Sequence, residues 1–98
     1  MKIMNFKELK KKIKEKFGVY EVGEKYIVNL KDIIIPSEFE ETPPKFKKMN
    51  RKWAYFLKNG IFESKIKIDK NFVLRDGYTS YIISQKEKLD KVPVYFVD

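Results

Sequence analysis

The segment of residues 66–97 contains the pattern that most restricts how this chain can fold. Ile66 and Ile68 alternate with lysines, turn-forming residues follow at 69–71, and an extended apolar run resumes at 73–74. Alternating and extended runs on either side of a short polar turn are typical of a β-hairpin. We therefore predict two paired strands at the start of this segment.

A turn and a helix follow the predicted hairpin. Gly77 allows a tight bend, Asp76 is a good helix N-cap, and apolar and aromatic residues then recur at helical spacing over residues 78–89. An alternating strand, Val-Pro-Val-Tyr-Phe-Val, closes the segment at residues 92–97. A strand that leads directly into a helix leaves amide N–H groups of the first helical turn without intrahelical acceptors, which favours binding of a phosphate or carboxylate there.

The order of these elements is similar to a known family. The run Val-Asn-Leu-Lys-Asp-Ile-Ile-Ile-Pro at residues 28–36 precedes the strand, Asp-Gly turn, aromatic helix and Val-Pro-Val strand described above. Together they resemble the amino-terminal domain of ParB and the sulfiredoxin-like fold over residues 27–97. The resemblance implies a small α+β domain with a mixed β-sheet and about three helices. Proteins of this fold include nucleotide hydrolases, a kinase and nucleases, so the resemblance leaves open whether this chain is an enzyme.

Two departures from the family pattern bear on chemistry. ParB-type members carry a pair of basic residues after the glycine, whereas this chain has Thr79 and Ser80. Sulfiredoxin-type members use a cysteine and a histidine in this turn, and the chain contains neither residue type. Sulfiredoxin-like thiol chemistry is therefore excluded, while hydroxyls, amides and lysines remain as phosphate donors.

Composition predicts one small soluble domain. At 98 residues the chain can bury one modest core, and we divide it into a basic amphipathic helix at 1–18, packed on the domain, and a globular unit at 19–98. The absence of cysteine and histidine removes disulfides, thiolate metal sites and the commonest neutral-pH base. No apolar run approaches a membrane span and no signal-peptide pattern opens the chain, so we expect a cytoplasmic protein.

The net charge of +8 is unevenly placed. Residues 1–18 hold seven lysines and two glutamates, residues 45–58 hold six basic residues and no acidic one, and residues 19–44 are acidic on balance. This segregation favours a positive surface that attracts polyanions such as nucleic acids. The alternative is that the lysines only keep a small domain soluble.

The first helix is predicted at residues 5–17, where Asn5 is placed to cap it and Gly18 ends it. Strands are predicted at 19–22 and 25–30 around a Gly-Glu turn, and the β-branched block at 33–35 predicts a buried strand.

Residues 37–44 read as an ordered surface loop that contains three glutamates, Glu38, Glu40 and Glu41. Such carboxylates can hold Mg²⁺ or act in acid–base chemistry, although solvated loop acids are far commoner.

A second helix is predicted at residues 44–59, with Pro44 in its first turn, Thr42 as its cap and Asn59-Gly60 at its end. Its apolar stripe favours a core position, whereas aromatic and basic residues interleaved along it allow base stacking beside phosphates. The stripe consists of Phe46, Met49, Trp53, Phe56 and Leu57, and Tyr55 is predicted to be an exposed aromatic.

The sequence therefore predicts binding of a phosphate-bearing ligand, a nucleotide or nucleic acid, at the turn into the third helix. The predicted site residues from this turn are Arg75, Asp76, Gly77, Tyr78, Thr79 and Ser80. The family resemblance adds Lys45 and Lys48 from the second helix, and it allows a nucleotide with Mg²⁺ as cofactor. The alternative is a protein-interaction or regulatory module that kept the fold and lost the ligand. We predict a core that contains Tyr81, Ile82, Leu89, Val92, Val94 and Phe96.

Overall fold

The structure is a computed structural model that describes residues 21–97. The predicted helix at residues 5–17 lies outside the described residues. In chain order the described elements are β1 (Lys25–Asn29), a 3-10 turn (Leu30–Asp32), α1 (Ser37–Glu41), α2 (Phe46–Asn59), β2 (Ile66–Ile68), β3 (Leu74–Asp76), α3 (Tyr78–Lys86) and β4 (Lys91–Phe96).

The four strands form one mixed sheet in the order β1-β4-β2-β3. Strand β4 pairs antiparallel with β1 and parallel with β2, and β2 and β3 form the predicted antiparallel hairpin. The predicted fold class, an α+β domain with a mixed sheet and three helices, is confirmed.

One face of the sheet forms the core. Alternate residues of the strands point to this face, among them Val92, Val94 and Phe96 of β4, which are fully buried as predicted. They pack with buried residues of the neighbouring strands, namely Tyr26, Val28, Ile66, Ile68 and Leu74. Full burial of side chains of this size stabilises the fold by about 1.5–3 kcal/mol each, so this face supplies most of the hydrophobic stabilisation.

Helix α3 buries other residues than the ones that we predicted. Ile83 and three hydroxyl residues, Thr79, Ser80 and Ser84, are buried. The predicted core residues of this segment, Tyr81, Ile82 and Leu89, are half-buried, and Tyr81 and Leu89 pack against the core cluster. Small side chains allow the helix to approach the strands closely, and their hydroxyls are satisfied internally. The Ser84 hydroxyl donates to the Ser80 carbonyl oxygen at 2.8 Å.

Helix α2 begins and packs differently from the prediction, but it ends as predicted. It begins at Phe46 after Lys45 at the N-cap, where no side chain caps the helix. The prediction that Thr42 is the cap is wrong, because Thr42 lies at the C-terminal end of α1. Gly60 ends the helix in the left-handed conformation (φ 72°), and its N–H donates to the Phe56 carbonyl oxygen.

The predicted core stripe of α2 is also wrong, since no residue of this helix is buried. Phe46 and Leu57 are 78% and 66% exposed, and the predicted exposed aromatic, Tyr55, is exposed.

Residues 21–41 also differ from the prediction. The strand predicted at 25–30 is β1, whereas Val22 of the strand predicted at 19–22 forms only an isolated bridge with Phe96. Within the β-branched block only Ile33 is buried, and Ile34 forms one isolated bridge with Val73. Residues Ser37–Glu41, predicted as a loop, form the short helix α1. None of the helices within residues 21–97 is both long enough and apolar enough to cross a membrane.

Candidate ligand site at the start of helix α3

A cavity of about 380 Å³ lies where α1, α2 and the turn into α3 meet. The turn contributes Asp76, Gly77, Tyr78 and Thr79 to its lining. Helix α2 contributes Lys48 and Lys52, and α1 contributes Glu38 and Phe39. The structure thus brings one of the two predicted lysines and most of the predicted turn residues to a single cavity.

Gly77 determines the path of the chain into the site. Its φ of +87° is unfavourable for other residues, and a Cβ there would lie 2.3 Å from the Lys65 carbonyl oxygen. The backbone of the turn is therefore pressed against the start of β2. This close approach fixes the start of α3 beside the cavity.

Asp76 does not cap α3, contrary to the prediction. The N-cap is Gly77, and Asp76 Oδ1 instead accepts a hydrogen bond of 2.8 Å from the Gly77 N–H. The first intrahelical bond of α3 runs from the Tyr81 N–H to the Gly77 carbonyl oxygen at 3.0 Å. The N–H groups of Tyr78, Thr79 and Ser80 consequently have no acceptor within the helix.

The two hydroxyls of the predicted site have different surroundings. Thr79 is buried by the protein but lines the cavity. Ser80 is 1% exposed, and its hydroxyl donates to the Ser64 carbonyl oxygen at 2.6 Å. The Ser80 hydroxyl therefore serves the packing of α3, while its main-chain N–H remains at the helix start.

Lys52 belongs to the site and was missed from the sequence. It lies one helical turn after Lys48, lines the same cavity, and donates a hydrogen bond from Nζ to Ser64 Oγ. The i, i+4 spacing of the two lysines is the signal that would have revealed it. Lys45, at the N-cap of α2, is exposed and is not among the lining residues.

Arg75 lies away from the cavity. Its guanidinium forms an ion pair with Asp69 Oδ2 at 3.5 Å across the β2–β3 turn. Burial raises the pKa of the Asp69 carboxyl, but hydrogen bonds from the Val73 and Asn71 amides and the charge of Arg75 outweigh it and hold the pKa below its ordinary value. This pair stabilises the hairpin turn that precedes the site.

Aromatic rings and one polar contact hold the helices around the cavity. Phe39 of α1 packs on Tyr78 with ring centroids 5.4 Å apart, and Tyr78 stacks on Tyr81 at 6.3 Å. Trp53 Nε1 of α2 donates to Glu87 Oε1 just after α3 at 2.6 Å. These contacts join α1 and α2 to α3.

Two carboxylates, Glu38 and Asp76, line the cavity, and Glu40 and Glu41 are exposed on α1 outside its lining. Within residues 21–97 no group of three or more acidic, cysteine or histidine residues is arranged to hold a metal ion. The cavity therefore offers at most two carboxylate ligands beside its two lysines.

The fold is similar to that of two solved structures. One is a Pnob8-like ParB-N domain in a C222₁ crystal form, with a TM-score of 0.65 and 21% identity over 76% of this chain. The other is a pNOB8-like ParB N-domain, with a TM-score of 0.61 and 23% identity over 76% of this chain. Our chain matches only 30% and 28% of the lengths of those chains.

The comparison confirms the predicted ParB N-domain-like fold. No protein-family model matches the sequence. No curated protein matches it either.

Proposed function

We propose that the cavity at the start of α3 binds a phosphate-bearing ligand, either a nucleotide or a phosphate of a nucleic acid. One observation carries the proposal: Lys48 and Lys52 line the same cavity as the first turn of α3. The amides of Tyr78, Thr79 and Ser80 point out of a helix N-terminus, where the helix dipole favours an anion. Lysines and main-chain donors together are a common set of phosphate ligands.

The roles within the proposed site differ. Lys48 supplies charge, Lys52 is positioned by Ser64, and Gly77 is the residue that lets the backbone donors approach the ligand. Asp76 holds the turn through the Gly77 amide. Neither Lys45 nor Arg75 lines the cavity, so we assign them no direct contact with the ligand. Their charges attract the ligand from a distance.

The test compares two adjacent lysines of α2. Lys48 lines the cavity, and Lys47 is exposed outside it. Titration of the full chain with inorganic pyrophosphate and a panel of nucleoside triphosphates should shift the amide NMR signals of residues 77–80 and weaken steeply with salt. Loss of one charged hydrogen bond predicts at least about tenfold weaker binding for Lys48→Ala.

Lys47→Ala removes the same charge and should change binding less than about twofold, because Lys47 does not line the cavity and its charge is screened at a distance. Equal losses from the two variants, or no shifts at millimolar nucleotide, would contradict the proposal. The ParB N-domain-like fold favours a nucleic-acid or nucleotide partner, and the proposal places the protein in the cytoplasm, where such ligands occur.

A second candidate function is a protein-interaction or regulatory module on the same fold. It is favoured by α2, which buries none of its residues and exposes Phe46 and Leu57. Exposed apolar residues on a helix are typical of a protein contact surface. Failure of every ligand in the panel, with the fold intact, would leave this candidate.

An enzymatic form of the proposal rests on Glu38 and Asp76, which line the same cavity as the lysines. Two carboxylates and a bound triphosphate together can hold Mg²⁺. This form requires turnover of a nucleoside triphosphate when Mg²⁺ is added, and loss of that turnover in Asp76→Asn. Nucleotide binding without turnover would reduce the function to binding alone.

A further inference from the structure

The face of the sheet opposite the core is uncovered by the described helices. Helix α3 packs on the core cluster through Tyr78 and Tyr81, and α1 reaches the same cluster through Phe39. On the other face, strand residues alternate as exposed or half-exposed along β1 and β4. Ile27, near the middle of β1, is 61% exposed. We call this surface the open face.

The open face carries more positive than negative charge on its strands. Its outward strand residues are Lys25, Ile27, Asn29, Lys67, Arg75, Asp76, Lys91, Pro93 and Tyr95, with Asp76 as the register partner of Lys67. Four of these nine are cationic and one is acidic. Arg75 is paired with Asp69, whereas none of the three lysines forms an ion pair with any residue in the described range.

An apolar strip runs through the middle of these cations. Ile27 and Pro93 are register partners on adjacent strands, and Tyr95 follows on β4. Tyr95 has Lys25 as its partner on β1 and Lys67 as its partner on β2. Lys65 Nζ lies 4.6 Å from the centroid of the Tyr95 ring. One aromatic ring thus has three lysines as neighbours across three adjacent strands.

We propose that the open face binds single-stranded nucleic acid, with a base stacked on Tyr95 and the neighbouring phosphates held by Lys25, Lys65 and Lys67. A single strand can contact both the ring and the lysines. Its unpaired bases can stack on Tyr95, and its phosphates can bind the ammonium groups. A duplex hides the faces of its bases. Neither Tyr95 nor the three lysines line the cavity, so the inference is tested separately from the function proposed above.

The amino-terminal segment is the competing occupant of this face. Residues 1–18 hold seven lysines and two glutamates. Their charge has the same sign as that of the open face, so charge complementarity favours a polyanion over this segment.

The first experiment measures binding of the full chain to a fluorescein-labelled oligothymidine by anisotropy. Tyr95→Leu should weaken binding about tenfold, as expected when one stacked base is lost, and Tyr95→Phe should restore it. A duplex of the same length should bind more weakly than the single strand. Thermal unfolding of each variant confirms that the fold is retained.

The second experiment uses the dependence of the affinity on salt concentration. Three phosphate contacts predict a slope of log affinity against log salt of about −2, and Lys25→Ala with Lys67→Ala should reduce its magnitude by about 1.4. The matched control removes two exposed lysines of α2, Lys47 and Lys58, and should leave the slope unchanged.

Several results would overturn the inference. One is an equal reduction of the salt slope by the two lysine pairs, Lys25 with Lys67 and Lys47 with Lys58, and another is equal affinity for duplex and single strand. The others are loss of binding only when lysines of residues 1–18 are replaced, and no binding of oligothymidine at all. Lys48→Ala separates the two surfaces, because it should weaken pyrophosphate binding in the cavity, whereas Tyr95→Leu should weaken oligothymidine binding about tenfold in both the parent and the Lys48→Ala background.

Discussion

Helices α2 and α3 reverse the relation between sequence pattern and burial. The sequence of α2 has a regular apolar stripe, yet no residue of this helix is buried. The apolar and aromatic residues that recur at helical spacing in α3 are half-buried, whereas three of the four residues that this helix buries carry hydroxyls. A stripe shows which side of a helix is apolar, but the distance between helix and sheet decides whether that side is buried.

The difference has a physical cause at the ends of the helices. Gly77 brings the start of α3 against the backbone of Lys65 and Ile66, where a Cβ would lie 2.3 Å from the Lys65 carbonyl oxygen. Gly60 ends α2 in a region where a Cβ would meet nothing within 4 Å. Helix α2 contacts its neighbours through side chains, such as Trp53 with Glu87 and the stacked rings of Phe56 and Phe62.

The first prediction, with the largest expected effect, compares a glycine-to-alanine substitution at Gly77 with the same substitution at Gly60. Gly77→Ala should destabilise the fold by about 3 kcal/mol or more, since it combines an unfavourable φ with a backbone clash. Gly60→Ala, with a similar φ and open space, should cost about 1 kcal/mol. Urea unfolding of both variants measures the difference, and equal losses would show that the close approach at Gly77 is unimportant.

The second prediction compares an apolar substitution in α3 with a polar substitution in α2. Ser84→Leu makes α3 more apolar but should destabilise the protein by about 2 kcal/mol, because Ser84 is fully buried and no space exists for a larger side chain. Leu57→Gln makes α2 less apolar and should change stability by less than about 0.5 kcal/mol. If Leu57→Gln were the more damaging of the two, the burial described for α2 would be contradicted.

The third prediction concerns the contact that joins the two helices. Trp53→Phe removes the hydrogen bond to Glu87 and should cost about 1 kcal/mol. Glu87→Gln keeps an oxygen acceptor and should cost about half as much or less. Chemical denaturation measures both values, and tryptophan fluorescence reports the Glu87 variant. Identical stability of Trp53→Phe and the parent protein would mean that α2 is held by other contacts.

The smallest expected effect is a pH dependence in α3. Burial, together with the charges of Tyr78 and Glu40, raises the pKa of Tyr81 above its ordinary value of 10.0. The folded state therefore favours the neutral phenol, and the resulting stabilisation is complete below pH 10.0 and is lost as the pH rises through the folded pKa. When the pH is raised above this value, the free energy of unfolding of Tyr81→Phe should fall less than that of the parent protein, as measured by urea unfolding at each pH. Parallel losses of stability in both proteins would contradict the assignment to Tyr81.

The sequence predicted those parts of the fold in which alternation is clear. The hairpin at Ile66 and Ile68 and the buried residues of β4 follow from period-two patterns. The packing of α3 could not be predicted, because Ser80 and Ser84 become buried only through the close approach at Gly77, which is a contact with Lys65 twelve residues away. Ile34 was expected to be buried from its residue type, but it forms a single bridge at the edge of the sheet.

The candidate site was predictable to a similar degree. The Asp-Gly turn marked the start of α3, and Lys48 was named from the family resemblance and lines the cavity. Lys52 and Ser64 were missed, since their meeting depends on how α2 crosses the loop before β2. Arg75 looked suited to the site by sequence position, but its guanidinium pairs with Asp69 across the β2–β3 turn and does not line the cavity.

The strand order β1-β4-β2-β3 has a consequence for synthesis on the ribosome. Strand β1 pairs with β4 alone among the described strands, and β4 is the last of them to be made. A nascent chain holds β1 without a partner while about sixty further residues are added, and only then can the β2–β3 hairpin be joined to it. Until that moment β1 is a free strand edge, which other chains can pair with.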